Sequence, residues 1–216
     1  MGLAGESGRA AMIHCVAAIA GNYTAPMITA RDSEGNTALM RAAMSGNPEA
    51  VQAMIDQCVA NQVGVSSILN HPNSAGQTAL ILAIAHGKSA GCVRVLLANG
   101  AHPNTTVASS GQSPLEMAMS EGRLDILQAL LNHENINVLN NALITPSSRE
   151  CTVALYTKAL EREPDLLSRL VNGNPFAHWL AKHNGLVLRE ILTEKDAGFV
   201  QGILSIENYN GSPAAH

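Results

Sequence analysis

Histidine and cysteine are the residues of this sequence whose side chains could bind a metal ion or act in catalysis, and it has eight histidines and four cysteines. Zinc sites hold such ligands at short, fixed spacings, yet no HExxH, HxH or CxxC pattern occurs. The histidines His178 and His183 are five residues apart and align poorly on a helix. No GxSxG elbow, Walker A loop or kinase signature is present. We therefore expect no metal, no cofactor and no catalytic site.

Composition and charge narrow the class of protein. Hydrophobic residues make up 46% of the 216 residues and charged residues 14%, which is typical of a globular chain and not of a disordered one. No run of about 18 apolar residues predicts a membrane span. A net charge of -4, with two Phe, three Tyr and one Trp, favours neither nucleic acid nor a membrane as partner. The cysteines, spread one per segment, indicate reduced thiols and a cytoplasmic protein.

Three segments of the chain repeat one pattern of residues in register, starting at Gly35, Gly76 and Gly111. A hydroxyl side chain follows two residues later and can N-cap a first helix. A second glycine, at 46, 87 and 122, can adopt a positive φ and turn the chain into an antiparallel second helix. Large apolar residues at helical spacing in the second helices predict a core shared between neighbours. The hydroxyl residues are Thr37, Thr78 and Ser113, and the core residues are Val51, Met54, Ile55, Val93, Leu96, Leu97, Ile126, Leu127, Leu130 and Leu131.

These segments resemble the ankyrin repeat, a unit of about 33 residues with the pattern Gly-x-Thr-Pro-Leu-His-x-Ala-Ala-x-x-Gly. The resemblance implies an all-α fold, a solenoid of stacked antiparallel helix pairs with short β-hairpin or finger loops. The consensus histidine is replaced by Met40, Ile81 and Glu116. We therefore expect the Thr-to-His hydrogen bonds of the family to be missing and the stack to be less stable than a consensus one.

The rest of the chain is assigned around these repeats. Residues 1–31 are interpreted as an N-terminal capping helix with a finger-like lead-in at 27–32. The apolar segment that follows Arg9 resembles a secretory leader, but the histidine in its middle, His14, argues against export. The three repeats occupy residues 32–138. The first is long, since Gly46 and Gly87 are 41 residues apart, and we expect its insertion, residues 56–70, to extend the outer helix and loop back. Residues 139–207 predict degenerate helical repeats and a C-terminal cap, with helices at 150–161 and 165–171, and residues 208–216 a disordered tail.

The resemblance places the binding site on the concave surface, formed by the finger tips and the exposed positions of the inner helices. Arg41, Leu82 and Met117 hold equivalent positions in the three repeats. If Leu82 and Met117 are exposed there, they form an apolar centre inside a polar rim, which is the composition of a binding hot spot. The alternative is that neighbouring loops cover these side chains, or that each is an isolated surface residue. By register the positions are Asn36, Arg41, Met44, Ser45, Gln77, Leu82, His86, Gln112, Met117, Ser120 and Glu121.

The leading hypothesis is a monomeric protein–protein interaction module that binds a folded surface or a peptide through this groove, without a cofactor. Alternatively, the chain is the targeting domain of a larger enzyme, or of a secreted bacterial effector that acts on host proteins in the host cytosol. A third hypothesis places an active site after Leu139. It would require Glu150, Cys151, His178 and His183 to converge.

Overall fold

The computed structural model describes residues 24–87, 89–137 and 148–162, the pairs 170–171 and 174–175, and residues 185, 189 and 193. The chain divides into two units, Met1–Asn137 and Val138–His216. Among the described residues, no helix is long and apolar enough to cross a membrane. Within the described residues of the first unit, the helices are α1 (Ala25–Thr29), α2 (Ala38–Met44), α3 (Pro48–Ala60), α4 (Val65–Asn70), α5 (Ala79–Leu82), α6 (Ala90–Ala98), α7 (Pro114–Ser120) and α8 (Leu124–Leu131), with a π-helical turn, Ala83–Gly87, directly after α5.

The inner helices α2, α5 and α7 each begin at the predicted hydroxyl cap. Each hydroxyl accepts a hydrogen bond from the backbone N–H three residues later, and Pro114 occupies the first turn of α7. The donors to Thr37, Thr78 and Ser113 are Met40 at 3.3 Å, Ile81 at 3.5 Å and Glu116 at 3.2 Å.

The replacement of the consensus histidine is compensated in two repeats. The Glu116 carboxylate accepts from the backbone N–H of Ser113 at 2.6 Å, and the Met40 sulfur accepts from that of Thr37 at 3.4 Å. Both complete a capping box, in which the third helical residue bonds back to the cap. The Thr-to-His hydrogen bonds of the family are missing, as expected, but in the first and third repeats the replacing side chain bonds back to the cap.

The predicted core is confirmed. All ten apolar residues assigned to the outer helices α3, α6 and α8 are buried, none more than 4% exposed. Each outer helix packs on its neighbour, α3 on α6 and α6 on α8, and on an inner helix. One repeat alone leaves its apolar face uncovered, so this sharing makes stacking obligatory.

Asparagines at the ends of two repeats tie successive loops together. The Asn104 side chain donates to the carbonyl of Asn135 at 2.7 Å and accepts from the N–H of Asn137 at 2.8 Å. These bonds satisfy backbone groups that no helix uses. The Asn70 side chain makes the equivalent bonds to Gly100 at 3.1 Å and His102 at 2.7 Å.

The turn glycines differ from expectation in one repeat. Gly46 and Gly122 have φ values of +75° and +67°, as predicted, but Gly87 does not adopt a positive φ. It ends the π-helical turn instead. The prediction was wrong there because the connection that follows Gly87 is one residue longer, since the outer helix is N-capped by Ser89.

The long first repeat carries its extra residues as helix. α3 has 13 residues against 9 in α6, and α4 follows after a short turn. Ile68 and Leu69 of α4 are buried, which explains why the insertion is helical and not a loop. The finger-like lead-in expected at 27–32 is also different, because residues 25–29 form α1 and bury Ile28. The predicted capping helix lies outside the described residues.

The second unit contains α9 (Arg149–Arg162), which covers the helix predicted at residues 150–161. Two short strands, β1 (Leu170–Val171) and β2 (Asn174–Pro175), pair in antiparallel fashion, Leu170 with Pro175 and Val171 with Asn174. The prediction of helix at 165–171 is therefore wrong at Leu170 and Val171, and residues 165–169 lie outside the described residues. The Asn-Gly dipeptide between the strands is a hairpin signal that the helical interpretation overlooked.

Candidate functional site

The concave surface of the first unit is lined by three finger loops, residues 32–36, 73–77 and 107–112, and by the inner helices that follow them. Each finger is closed by a backbone hydrogen bond between its ends. The donors are Asp32, Asn73 and Val107, the acceptors are Asn36, Gln77 and Gln112, and the distances are 3.0, 2.9 and 2.9 Å.

The first finger folds over Arg41 of α2. The Arg41 Nε donates to Asp32 Oδ2 at 2.7 Å, and its Nη2 forms ion pairs with Asp32 and, at 2.9 Å, with Glu34. Arg41 is only 9% exposed as a result. Its charge is compensated by two carboxylates, so it stabilises the finger and is poorly placed to meet a partner.

The same network sets the protonation of Asp32. Burial raises the pKa of this carboxyl, but hydrogen bonds from the Asn36 backbone, from Arg41 and from the Glu34 backbone, with the Arg41 charge, lower it by more. The pKa of Asp32 therefore lies below its ordinary value of 3.8, and the carboxyl stays ionised at neutral pH.

The first and second fingers are joined side by side. Asn73 Nδ2 donates to Asn36 Oδ1 at 2.8 Å, and the backbone N–H of Ser74 donates to the Glu34 carbonyl at 3.1 Å. Arg31 adds a bond to the Pro72 carbonyl at 3.2 Å. Asn36 is consequently buried, and hydrogen bonds hold the first two finger loops against each other as one continuous surface.

The structure divides the eleven predicted contact residues into three groups. The expectation of exposure is wrong for Asn36, Arg41 and Leu82; Leu82 is 2% exposed because it packs in the core of the second repeat. The side chains of these three residues are therefore too buried to support the prediction that they contact a partner. Half-buried are Met44, Gln77 and Met117, and exposed are Ser45, His86, Gln112, Ser120 and Glu121.

Three of the accessible members stand at the C-terminal ends of the inner helices and define one edge of the surface. Ser45, His86 and Glu121 hold the same position, eight residues after the hydroxyl cap of each repeat. Met117 lies one helical turn before Glu121, on the same face of α7. This gives a polar edge with a small apolar centre in the third repeat, suited to hydrogen bonding and packing and not to covalent chemistry.

No catalytic constellation is assembled in the part of the chain that the structure describes. Within it, no group of three or more His, Cys, Asp or Glu side chains could hold a metal ion. Cys58, Cys92 and Cys151 are buried free thiols, and burial raises the pKa of Cys58, which disfavours its reactive thiolate. Glu150 and Cys151 open α9, whereas His178 and His183 lie outside the described residues.

A second concave feature went unpredicted. A cleft of about 630 Å³ lies between the loops that end the second and third repeats, lined by residues 100–105, His133 and Asn135. His133 Nδ1 accepts a hydrogen bond from the Asn135 backbone N–H at 3.3 Å. The lining residues lie in two loops about 30 residues apart and follow no motif that a sequence search would find.

Comparison with known proteins gives consistent results. A family model described as "Ankyrin repeats (3 copies)" matches residues 9–107 and, in an overlapping match, residues 58–142. The solved ankyrin repeat domain of Bcl-3, described as a unique member of the IkappaB protein family, is similar with 22% identity and a TM-score of 0.51, over 94% of this chain and 72% of that one. The human ASB11 ankyrin repeat domain is similar with 20% identity and a TM-score of 0.54, over 99% and 90% of the two chains.

Proposed function

The chain belongs to the ankyrin-repeat family, and we propose that it binds a partner protein through the accessible edge of its concave surface. Ankyrin repeats are in general protein–protein interaction modules and are typically not enzymes. The predicted all-α ankyrin fold is confirmed by the family match and by both solved domains. Stacked repeats bind through extended surfaces of this kind because their loops and inner helices line up in rows.

The observation that supports this surface is the row of exposed residues at one register. Ser45, His86 and Glu121 recur at the same position in three repeats, and none of them is needed to fill the core. Exposed side chains that recur in register offer a partner a continuous line of hydrogen-bonding groups. Half-buried Met44 and Met117 add apolar area beside it, the combination found at interface centres.

The third repeat is the part of this surface with the most accessible predicted contacts. The first finger covers Arg41, and Leu82 is in the core, so Met117 alone remains of the apolar centre expected from sequence. Gln112, Met117 and Ser120 remain accessible together with Glu121. We therefore propose that Met117 is the central contact, and that the protein acts as a cytoplasmic monomer without a cofactor.

The test is retention of proteins from cell lysate by the immobilised chain and three variants. Met117→Arg and Ser120→Arg each add one positive charge to the proposed surface. Gln128→Arg adds the same charge to an exposed position of outer helix α8 in the same repeat and serves as the matched control. We expect a protein retained by the wild type and by Gln128→Arg to be lost with the other two, after circular dichroism shows that all are folded.

Equal retention by Ser120→Arg and Gln128→Arg would show that the partner binds elsewhere. Ser120 is decisive here because it is exposed, so its substitution cannot act through the core. Leu82→Arg is unsuitable for this purpose, since a charge at a position 2% exposed would unfold the repeat whatever its role in binding.

A further inference from the structure

The row of exposed residues on the concave edge carries a carboxylate only in the third repeat, at Glu121. The equivalent residue of the first repeat is Ser45, whose hydroxyl donates to the Ala42 carbonyl at 2.7 Å, and that of the second is His86. The Glu121 side chain is exposed, and among the described residues it has neither a hydrogen-bond donor nor a cation as partner. The third repeat therefore presents a negative charge that the described part of the protein leaves uncompensated.

The position of Glu121 in its helix makes this charge unfavourable for the protein itself. Glu49 and Glu150 lie in the first turns of α3 and α9, where the positive end of the helix dipole stabilises a carboxylate. Glu121 is the C-terminal cap of α7 and so lies at the negative end of the dipole. A cation supplied by another molecule would therefore be attracted by the carboxylate and by the helix end together.

The described arginines of the first unit are engaged away from Glu121. The two arginines at the first finger make their bonds to the first two fingers, and Arg94 lies on outer helix α6. Arg123 is paired with Asp125 at 3.1 Å. Glu116 adds a second negative charge to α7, and its printed hydrogen bond comes from a backbone N–H and not from a cation. Among the described residues, this part of the surface is therefore negative.

Met117 supplies apolar surface one helical turn before Glu121. The Glu121 backbone N–H donates to the Met117 carbonyl at 3.1 Å, which is α-helical spacing and places both side chains on one face of α7. Met117 is half-buried, so part of its thioether side chain is accessible. Lysine and arginine combine an aliphatic stem with a charged end, and they lay the stem on apolar surface while the charge stays at its edge. Such a side chain is complementary to Met117 and Glu121.

We propose that the partner presents a basic segment to the third repeat, with the stem of one lysine or arginine on Met117 and its charge against Glu121. This inference rests on the proposed function, because it states the chemistry of the partner that the same surface binds. Charge complementarity argues for this choice, since like charges brought together at an interface cost affinity and would reject an acidic segment.

Selection from a displayed library of random peptides on the immobilised full chain tests this proposal. We expect the peptides retained by the wild type to be enriched in lysine and arginine, and those retained by Glu121→Lys to lose that enrichment. For a selected basic peptide, Glu121→Gln should weaken binding roughly threefold to fivefold, as for a well-formed exposed ion pair, and added salt should reduce this difference. Glu134→Gln is the matched control, because it removes the same charge from an exposed position of the same repeat and should leave the affinity unchanged.

The outcomes separate this inference from the proposed function. Retained peptides that are lost with Ser120→Arg but carry no excess of basic residues would leave the binding surface in place and overturn the basic partner. Equal weakening by Glu121→Gln and Glu134→Gln would also overturn it, because the effect would then come from net charge alone. A melting temperature of Glu121→Gln below that of the wild type would show that the carboxylate serves the fold. If no retained peptide responds to Ser120→Arg, the proposed function fails and this inference fails with it.

Discussion

At the scale of single residues, Arg41 changes from an expected contact to a structural residue. Replacing it with Met keeps the length of the side chain but leaves Asp32 and Glu34 without their shared cation. We expect Arg41→Met to lower the free energy of unfolding by about 1–3 kcal/mol, less than for a fully buried pair because the Glu34 side chain is 62% exposed. Urea unfolding at neutral pH measures the change.

The matched control is Arg94→Met on α6, an exposed arginine, whose replacement should change stability by less than about 0.5 kcal/mol. Equal losses in the two variants would mean that the ion pairs of the first finger contribute nothing.

The loss caused by Arg41→Met should depend on pH. Since the folded-state pKa of Asp32 is below 3.8, this carboxyl contributes stability that is present above its unfolded pKa and is lost as the pH falls through the lower, folded value. The wild type and Arg41→Met should therefore converge in stability as the pH falls below 3.8. Unfolding followed by circular dichroism across pH 7 to 2 checks this, and a difference that persists at pH 2 would contradict it.

The residues that sequence predicted correctly are those whose role is local or periodic. Thr37 caps α2 because its hydroxyl needs only the next turn of helix, and Leu96 is buried because helical spacing fixes its face. Burial of Arg41 depends instead on a finger that starts nine residues earlier and folds back over it. Helical register alone cannot show such a contact, although acidic residues at 32 and 34 are the signal for it.

At the scale of elements, the turn between α3 and α4 contains a residue in an unfavourable conformation. Gln62 has a φ of +55°, a region that costs a residue with a side chain about 1–2 kcal/mol relative to glycine. We expect Gln62→Gly to raise the free energy of unfolding by up to about 1 kcal/mol, the gain being reduced by the greater freedom of glycine in the unfolded chain. Urea unfolding is the measurement.

Gln57→Gly, the same substitution within α3, should lower stability by about 1 kcal/mol because glycine is a poor helix former. If both variants were destabilised alike, the conformation of Gln62 would not be strained.

The elements of the insertion were predictable only in part. The excess length located it at residues 56–70, and the apolar pattern extended the outer helix. The second helix, α4, was not expected because its six residues are too few to show a periodic pattern. Burial of Ile68 and Leu69 against the stack, and not their helix propensity, holds it in place.

At the scale of the whole molecule, the division at Asn137 predicts that the repeats fold without the rest of the chain. The outer helices α3, α6 and α8 bury their core residues against other elements of the first unit. We expect a fragment of residues 1–137 to be helical by circular dichroism and to unfold in one cooperative urea transition. A broad transition, or no helix, would show that the second unit completes the core.

The division lies next to residue 138, where the sequence predicts that the third repeat ends. The sequence was less informative beyond that point, because the helix predicted at residues 165–171 is contradicted at Leu170 and Val171, which form β1. A two-residue pairing has too few residues to leave a periodic pattern, and only the Asn-Gly signal marks it.

The contact between Gly46 and Gly87 bears on how this stack can be re-engineered by exchanging units. Where repeats meet through side chains, a new neighbour can be accommodated by choosing other rotamers. Here a Cβ atom on Gly46 would lie 2.5 Å from the Gly87 carbonyl oxygen, so the first two repeats meet through backbone atoms, which have no such freedom. These two repeats therefore form a single cassette, to be transplanted or replaced together.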